Sequence, residues 1–161
     1  MKPIQIHFKD LLLEGKLGPV RFGMSPEEVE ALLGKSREWH QSGDGILLCV
    51  YGWYFFTFLN FLPQSEGRYV LVQIHSDDLN GADWLNMDYK HLKIDPWLLK
   101  HRMTKEELKA ELDRQNIAYT ESNSPDVEFI KLSKEASIGF SNLRNEDEQK
   151  LTLYCVTRES F

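Results

Sequence analysis

His75-Ser76-Asp77-Asp78 is the densest run of groups in this sequence that could do chemistry. An imidazole beside two carboxylates can move protons, and the carboxylates can hold a hard cation together with water. The run follows the apolar stretch Tyr69 to Ile74, so it stands at a strand end; the same four residues also suit an ordinary solvated turn. His7, His40, His91 and His101 are scattered, and none stands four residues from another histidine or at a metal-site spacing from a cysteine. The sequence carries no GxSxG elbow, no Gly-rich phosphate loop and no HExxH helix. Cys49 and Cys155 lie inside apolar runs without a CxxC neighbour, and read as buried free thiols. No catalytic residue, metal ligand or cofactor is therefore assigned. His75, Asp77 and Asp78 define the alternative reading, a small enzyme or ligand carrier.

The bulk numbers narrow the partners. The chain has 161 residues, 42% of them hydrophobic, and a net charge of −6. A nucleic-acid surface needs a basic stripe to displace counterions, so nucleic acid is not an expected partner. An anionic membrane is disfavoured for the same reason, and no run approaches the ~18 apolar residues of a membrane span. The opening MKPIQIHFKD lacks the apolar centre of a secretory leader, which gives a cytoplasmic expectation. Acidic residues crowd three segments: Asp77, Asp78, Asp83 and Asp88; Glu121, Asp126 and Glu128; Glu146, Asp147 and Glu148. They read either as solvated loops or as a negative rim that steers a basic protein.

What must position these groups is a pattern that occurs twice. A shift of 79 residues lays Met24-Ser25 on Met103-Thr104, Glu27-Glu28 on Glu106-Glu107, Val29 on Leu108 and Leu33 on Leu112. Each copy opens a helix. Ser25 and Thr104 are N-caps, and Glu28 and Glu107 three residues on complete a capping box. Pro26 takes the first helical position and Gly34 ends the first helix. Copy one continues with ILLCVYG, WYFFTFLN and RYVLVQIHS, copy two with EFIKLSK, EASIGFSN and KLTLYCVTR. An offset of 82 lays Phe58 on Phe140 and Leu71 on Leu153. The same order twice predicts a duplication.

The expected fold is α+β: two tandem repeats, each a helix followed by a three-stranded antiparallel meander, joined into one curved sheet with the helices on one face. The boundaries are an N-terminal segment over 1–20, repeat one over 21–76, a connector over 77–99 and repeat two over 100–161. The connector holds Trp84 and Trp97 and is expected to pack; HLKIDPWLL within it suits a short strand ending at Pro96.

Units that open with GMSPEEVEALLG resemble the small outer-membrane assembly lipoproteins of the SmpA/BamE type. A tandem pair of such units in a chain of this length resembles the β-lactamase inhibitor protein family. The resemblance implies an architecture for protein binding with an open sheet face.

Period-two alternation predicts which face is open. In copy two, Ala136, Ile138 and Phe140 form a core face, with Ile130 and Leu132 beside them. Carried to copy one, this parity places Tyr54, Phe56, Phe58, Leu48 and Val50 inside, and Leu47, Cys49, Tyr51, Trp53 and Phe55 outside. An outward set that apolar marks an interaction site, or a surface that the two connector tryptophans cover. The resulting expectation is a non-enzymatic protein-binding module of the immunity or inhibitor kind, masking an enzyme or toxin. Its partner-binding residues would be Leu47, Tyr51, Trp53 and Phe55, edged by Asp77 and Asp78. The alternative partner is the chain itself, in a homo-oligomer.

Overall fold

The computed structural model describes residues 2–76, 89–100, 103–134, 136–141 and, as backbone, 150–156. The chain is α+β. In order it forms β1 (Ile4–His7), α1 (Phe8–Glu14), β2 (Lys16–Leu17), β3 (Val20–Arg21), α2 (Pro26–Leu33), β4 (Glu38–Gln41), β5 (Ile46–Tyr51) and β6 (Tyr54–Leu59). A 3-10 turn (Pro63–Ser65) leads to β7 (Val70–Ser76) and β8 (Leu92–Asp95). Then follow α3 (Lys105–Arg114), β9 (Thr120–Asn123), β10 (Val127–Lys131), β11 (Ala136–Ser141) and β12 (Lys150–Val156).

Eight strands make one antiparallel sheet in the order β4-β5-β6-β7-β12-β11-β10-β9. Each half therefore contributes a helix and four strands, and the halves meet where β7 pairs with β12. The added strands, β4 and β9, escape a hydrophobicity reading because Glu-Trp-His-Gln and Thr-Glu-Ser-Asn are polar; backbone pairing at the sheet edges, rather than burial, defines them. β1 and β8 form a separate parallel pair, so the N-terminal segment and the connector hold each other. His7 Nδ1 lies 2.9 Å from Asp95 Oδ2 at the end of that pair.

Helix α2 starts where its capping chemistry dictates. Glu28 N donates to Ser25 Oγ at 3.2 Å, and Ser25 N donates to Glu28 Oε2 at 2.7 Å. Thr104 and Glu107 repeat the arrangement at α3, with 3.2 and 2.8 Å. These bonds satisfy first-turn amides that have no partner inside a helix. Backbone bonds of 2.8 Å between Gly23 N and Leu71 O, and between Leu71 N and Met24 O, fasten the entry of α2 to β7.

The other end of α2 is held by three ring donors. His91 Nε2 reaches Leu33 O at 3.2 Å, Tyr51 Oη donates to Gly34 O at 2.7 Å, and Tyr89 Oη donates to Lys35 O. Carbonyls that the helix leaves open are thereby satisfied from the sheet and from the segment before β8. Helix α1 is an addition to the sequence reading. Its Phe8, Leu11 and Leu12 are buried at helical spacing, and Gly15 closes it in the left-handed region (φ 66°).

The apolar sides of all three helices share one core with one face of the sheet. Val29 and Leu33 of α2, Leu108 and Leu112 of α3, and Leu11 and Leu12 of α1 pack with Phe56, Phe58, Ile130, Ile138 and Phe140. Tyr54, Phe56 and Phe58 are inside, as period two predicts. The assignment of β5 is corrected. Cys49 and Tyr51 are fully buried in this core, whereas Leu48 and Val50 turn to the other face. The reason is loop length. Tyr51 pairs with Tyr54 across the two residues Gly52 and Trp53, and residues opposite each other share a face. An even loop therefore exchanges parity between β5 and β6. In the second half Lys131 pairs with Ser137 across five residues, which preserves it.

Phe56→Ala is expected to cost about 3–5 kcal/mol through the cavity left in this core. Ser25→Ala is expected to cost about 1 kcal/mol through the lost cap. Urea denaturation of each variant against the parent protein measures both, and a reversed order would contradict the placement of Phe56.

Candidate functional site

The helix-free face of the sheet can be followed by register. One row crosses all eight strands: Glu38, Val50, Phe55, His75, Tyr154, Ser137, Lys131 and Thr120 lie opposite one another in sequence. The first half of this face is apolar. Ile46, Leu48 and Val50 of β5 and Phe55 of β6 are half-buried there, and Trp53 in the adjoining turn is 48% exposed. The second half offers Lys131, Ser137, Ser141 and Ser122, with Val127 and Phe129 among them. At the outer edge of the apolar end His40 Nε2 lies 3.0 Å from Glu38 Oε2.

Part of this face is closed by the chain itself. Leu59 and Val72 are buried with Leu62, which folds back from the loop after β6, and Ile46 and Val70 pack on them. Ser65 Oγ donates toward the carbonyls of Asn60 and Leu62, at 2.8 and 2.7 Å, and holds that loop. Trp97 does not cover the face. It packs against the helix-side core, with its backbone N–H donating to Asp95 Oδ1 at 3.0 Å.

The residues expected to bind a partner divide. Trp53 and Phe55 stand on or beside the open face. Leu47 faces the helix side, opposite Phe58, and Tyr51 is sealed in the core with its hydroxyl on Gly34. Neither Leu47 nor Tyr51 belongs to the open face, for the loop-length reason given above. Leu48 and Val50, expected inside, take their places. Asp77 and Asp78 lie outside the described residues, as do Asp83, Trp84, Asp88, Glu146, Asp147 and Glu148.

His75 is on the open face, its ring stacked on Phe55 with centroids 5.0 Å apart. Ser76, the next residue, is buried on the helix side. Among the described residues no three His, Cys, Asp or Glu side chains converge as a metal site requires. No described helix is long and apolar enough to cross a membrane.

Two acidic residues expected on a rim are engaged elsewhere. Lys105 Nζ, on a nearly buried side chain, lies 2.9 Å from Glu121 and 3.5 Å from Glu128, and Lys109 Nζ lies 2.8 Å from Glu121. These pairs tie α3 to β9 and β10. Lys109 and Lys105 hold the Glu121 carboxyl below its ordinary range, and Glu121 in turn raises both ammonium groups. Asp126 is exposed. The Cys49 thiol is pushed up to about 12 by burial, and so is an inert packing group.

The network predicts a two-sided pH dependence. Glu121 is lowered on folding, so its contribution is full above the unfolded carboxyl range and is lost as pH falls through the folded value. Lys105 and Lys109 are raised, so their contribution is full below the ordinary lysine range and fades as pH rises through the folded values. Thermal melts are expected to show a Tm that declines at both ends, with a shallower acid limb in Glu121→Gln. Native Cys49 is expected to resist alkylation at pH 8 and to react once the chain is unfolded in urea; equal rates in both states would refute its burial. No protein-family model, curated protein or solved structure matches this chain.

Proposed function

We propose that this chain is a non-enzymatic protein-binding module that covers part of a partner protein with the helix-free face of its sheet. One observation carries the reading: Ile46, Leu48, Val50 and Phe55 form an apolar surface on the side away from all three helices, with the half-exposed ring of Trp53 beside it. A sheet face that met only water would alternate toward polar residues, as Lys131, Ser137 and Ser141 do in part of the second half. Aromatic and aliphatic anchors grouped together, with the Glu38–His40 pair at their edge, fit the anatomy of a protein interface.

On this reading the two helix-plus-strands halves are a tandem repeat. Their meanders run together at β7 and β12 into one curved sheet, and the first copy has specialised for binding. The role that fits is that of an immunity or inhibitor protein, which masks an enzyme or toxin by occlusion and acts in the cytoplasm. The acidic balance of the chain favours a basic partner, with Asp77 and Asp78 as candidate rim residues. Self-association through the same face is the second reading, since an apolar sheet face is also what two copies would pair.

The protein immobilised against an extract of its native host is expected to retain a specific partner, with Trp53→Ala or Phe55→Ala each weakening retention by tenfold or more. Lys131→Ala, on the polar half, is expected to leave it unchanged. Retention of every partner by both aromatic variants removes the proposed face. Light scattering at high concentration separates the two readings: a dimer lost in Phe55→Ala supports self-association, and a monomer excludes it.

A further inference from the structure

The outer edge of the sheet offers a surface separate from this face. β4 is a terminal strand, its four residues are all exposed, and among the described residues no strand pairs with its outer side. Ser42 N donates to Ile46 O at 3.0 Å. Alternation along an antiparallel ladder then turns the N–H and C=O of His40 toward β5, and those of Trp39 and Gln41 outward. Open backbone groups on a terminal strand are a template for a further strand. At the opposite edge the Glu121 side chain of β9 is paired with Lys105 and Lys109.

Behind β4, between α2 and the sheet, lies a groove of about 870 Å³. Leu47, Tyr69 and the ring of Trp39 give it apolar walls. Trp39 is 37% exposed yet fixed: its Nε1 donates to Glu30 Oε1 at 3.0 Å, and its ring lies 6.0 Å from that of Phe58. Glu27, Glu28 and Glu30 also line the groove, against the single guanidinium of Arg68. Glu28 and Glu30 are held in place by backbone and indole donors, and an ionised carboxylate has lone pairs left for a further donor. A fixed indole face beside such carboxylates suits a cation on an aliphatic stem. A second copy of this chain, with its own net charge of −6, would set like charges against these.

We propose that the free edge of β4 and the groove behind it receive an extended, basic segment of a partner protein, added as a further strand. Its backbone pairs with Trp39 and Gln41. Alternate side chains pass to the two sides of the sheet, and a lysine or arginine on the helix side enters the groove over Trp39. The site is independent of the apolar face assigned above, so either can fail without the other.

The test uses the full chain and two ten-residue peptides, one alternating threonine with lysine and the other threonine with glutamate. Calorimetry is expected to show at least tenfold tighter binding of the lysine peptide, and amide exchange is expected to slow at Trp39 and Gln41. Gln41→Pro removes one outward N–H and no inward sheet bond, and is expected to weaken binding tenfold. Glu27→Gln, which leaves the edge backbone intact and serves if the proline variant does not fold, is expected to weaken it several-fold. Phe55→Ala is expected to bind the peptide as the parent does. Equal affinity for the two peptides, no binding at millimolar concentration, or unchanged binding by a folded Gln41→Pro or Glu27→Gln overturns the proposal. So does protection away from β4, which marks diffuse charge attraction, or a dimer that pairs at β4.

Discussion

The pairing of Tyr51 with Tyr54 decides what the rest of the sheet can be. With only Gly52 and Trp53 between them, these residues must sit opposite each other, and opposite residues point the same way. Gly52, at φ 59°, supplies the left-handed conformation that so short a turn needs. A bulge in the β6–β7 pairing, between Thr57 and Phe58, resets the register for Leu71 and Val70, so the turn fixes which residues of β5 reach the helices. It delivers Tyr51 to the core with its hydroxyl on the carbonyl of Gly34 just past α2, Cys49 to the same core as an inert thiol, and Val50 to the far side. A loop one residue longer would exchange every one of these assignments.

How much of this was legible in the sequence depends on the range of the forces involved. The two capping boxes are local chemistry, complete within four residues, and both helix starts fall where Ser25 and Thr104 place them. The inward set of β6 and β11 follows from alternation within one strand. Parity across a hairpin does not, because it depends on whether the loop holds an even or an odd number of residues. A reading that carried the second half's parity to the first therefore sent Tyr51 and Cys49 outward. β4 and β9 were hidden for another reason: their side chains are polar, and only the backbone of a neighbour makes them strands. Helix α1 did leave a trace, since Phe8, Leu11, Leu12 and Gly15 carry both the spacing and the stop.

The candidate site was partly legible on the same terms. That the first half has an apolar outer face follows from the sheer excess of apolar residues in β5 and β6, whichever parity is chosen; both faces of β5 are hydrophobic. Which residues form that face was set by the turn. Trp53 keeps its place because it lies in the turn itself, and Phe55 because β6 was read correctly. The carboxylates were harder, since sequence gives their sign but not their neighbours. Glu121 and Glu128 meet Lys105 across the space between α3 and the sheet, a contact that no spacing along the chain announces.

The two halves carry different side chains on a similar backbone order. Among the described residues, the exposed large hydrophobic side chains are Trp39, Trp53 and Phe61, all in the first half. In the second half Lys131, Ser137, Ser141 and Ser122 share the corresponding face with Val127 and Phe129, and lysine–glutamate pairs tie α3 to β9 and β10. The carboxylates and Lys109 are partly exposed, so each pair contributes modestly while joining α3 to the sheet. Exposed apolar area is a liability in a chain with nothing to bind, and among the described residues the large exposed side chains fall in the first half, which supports the proposed use.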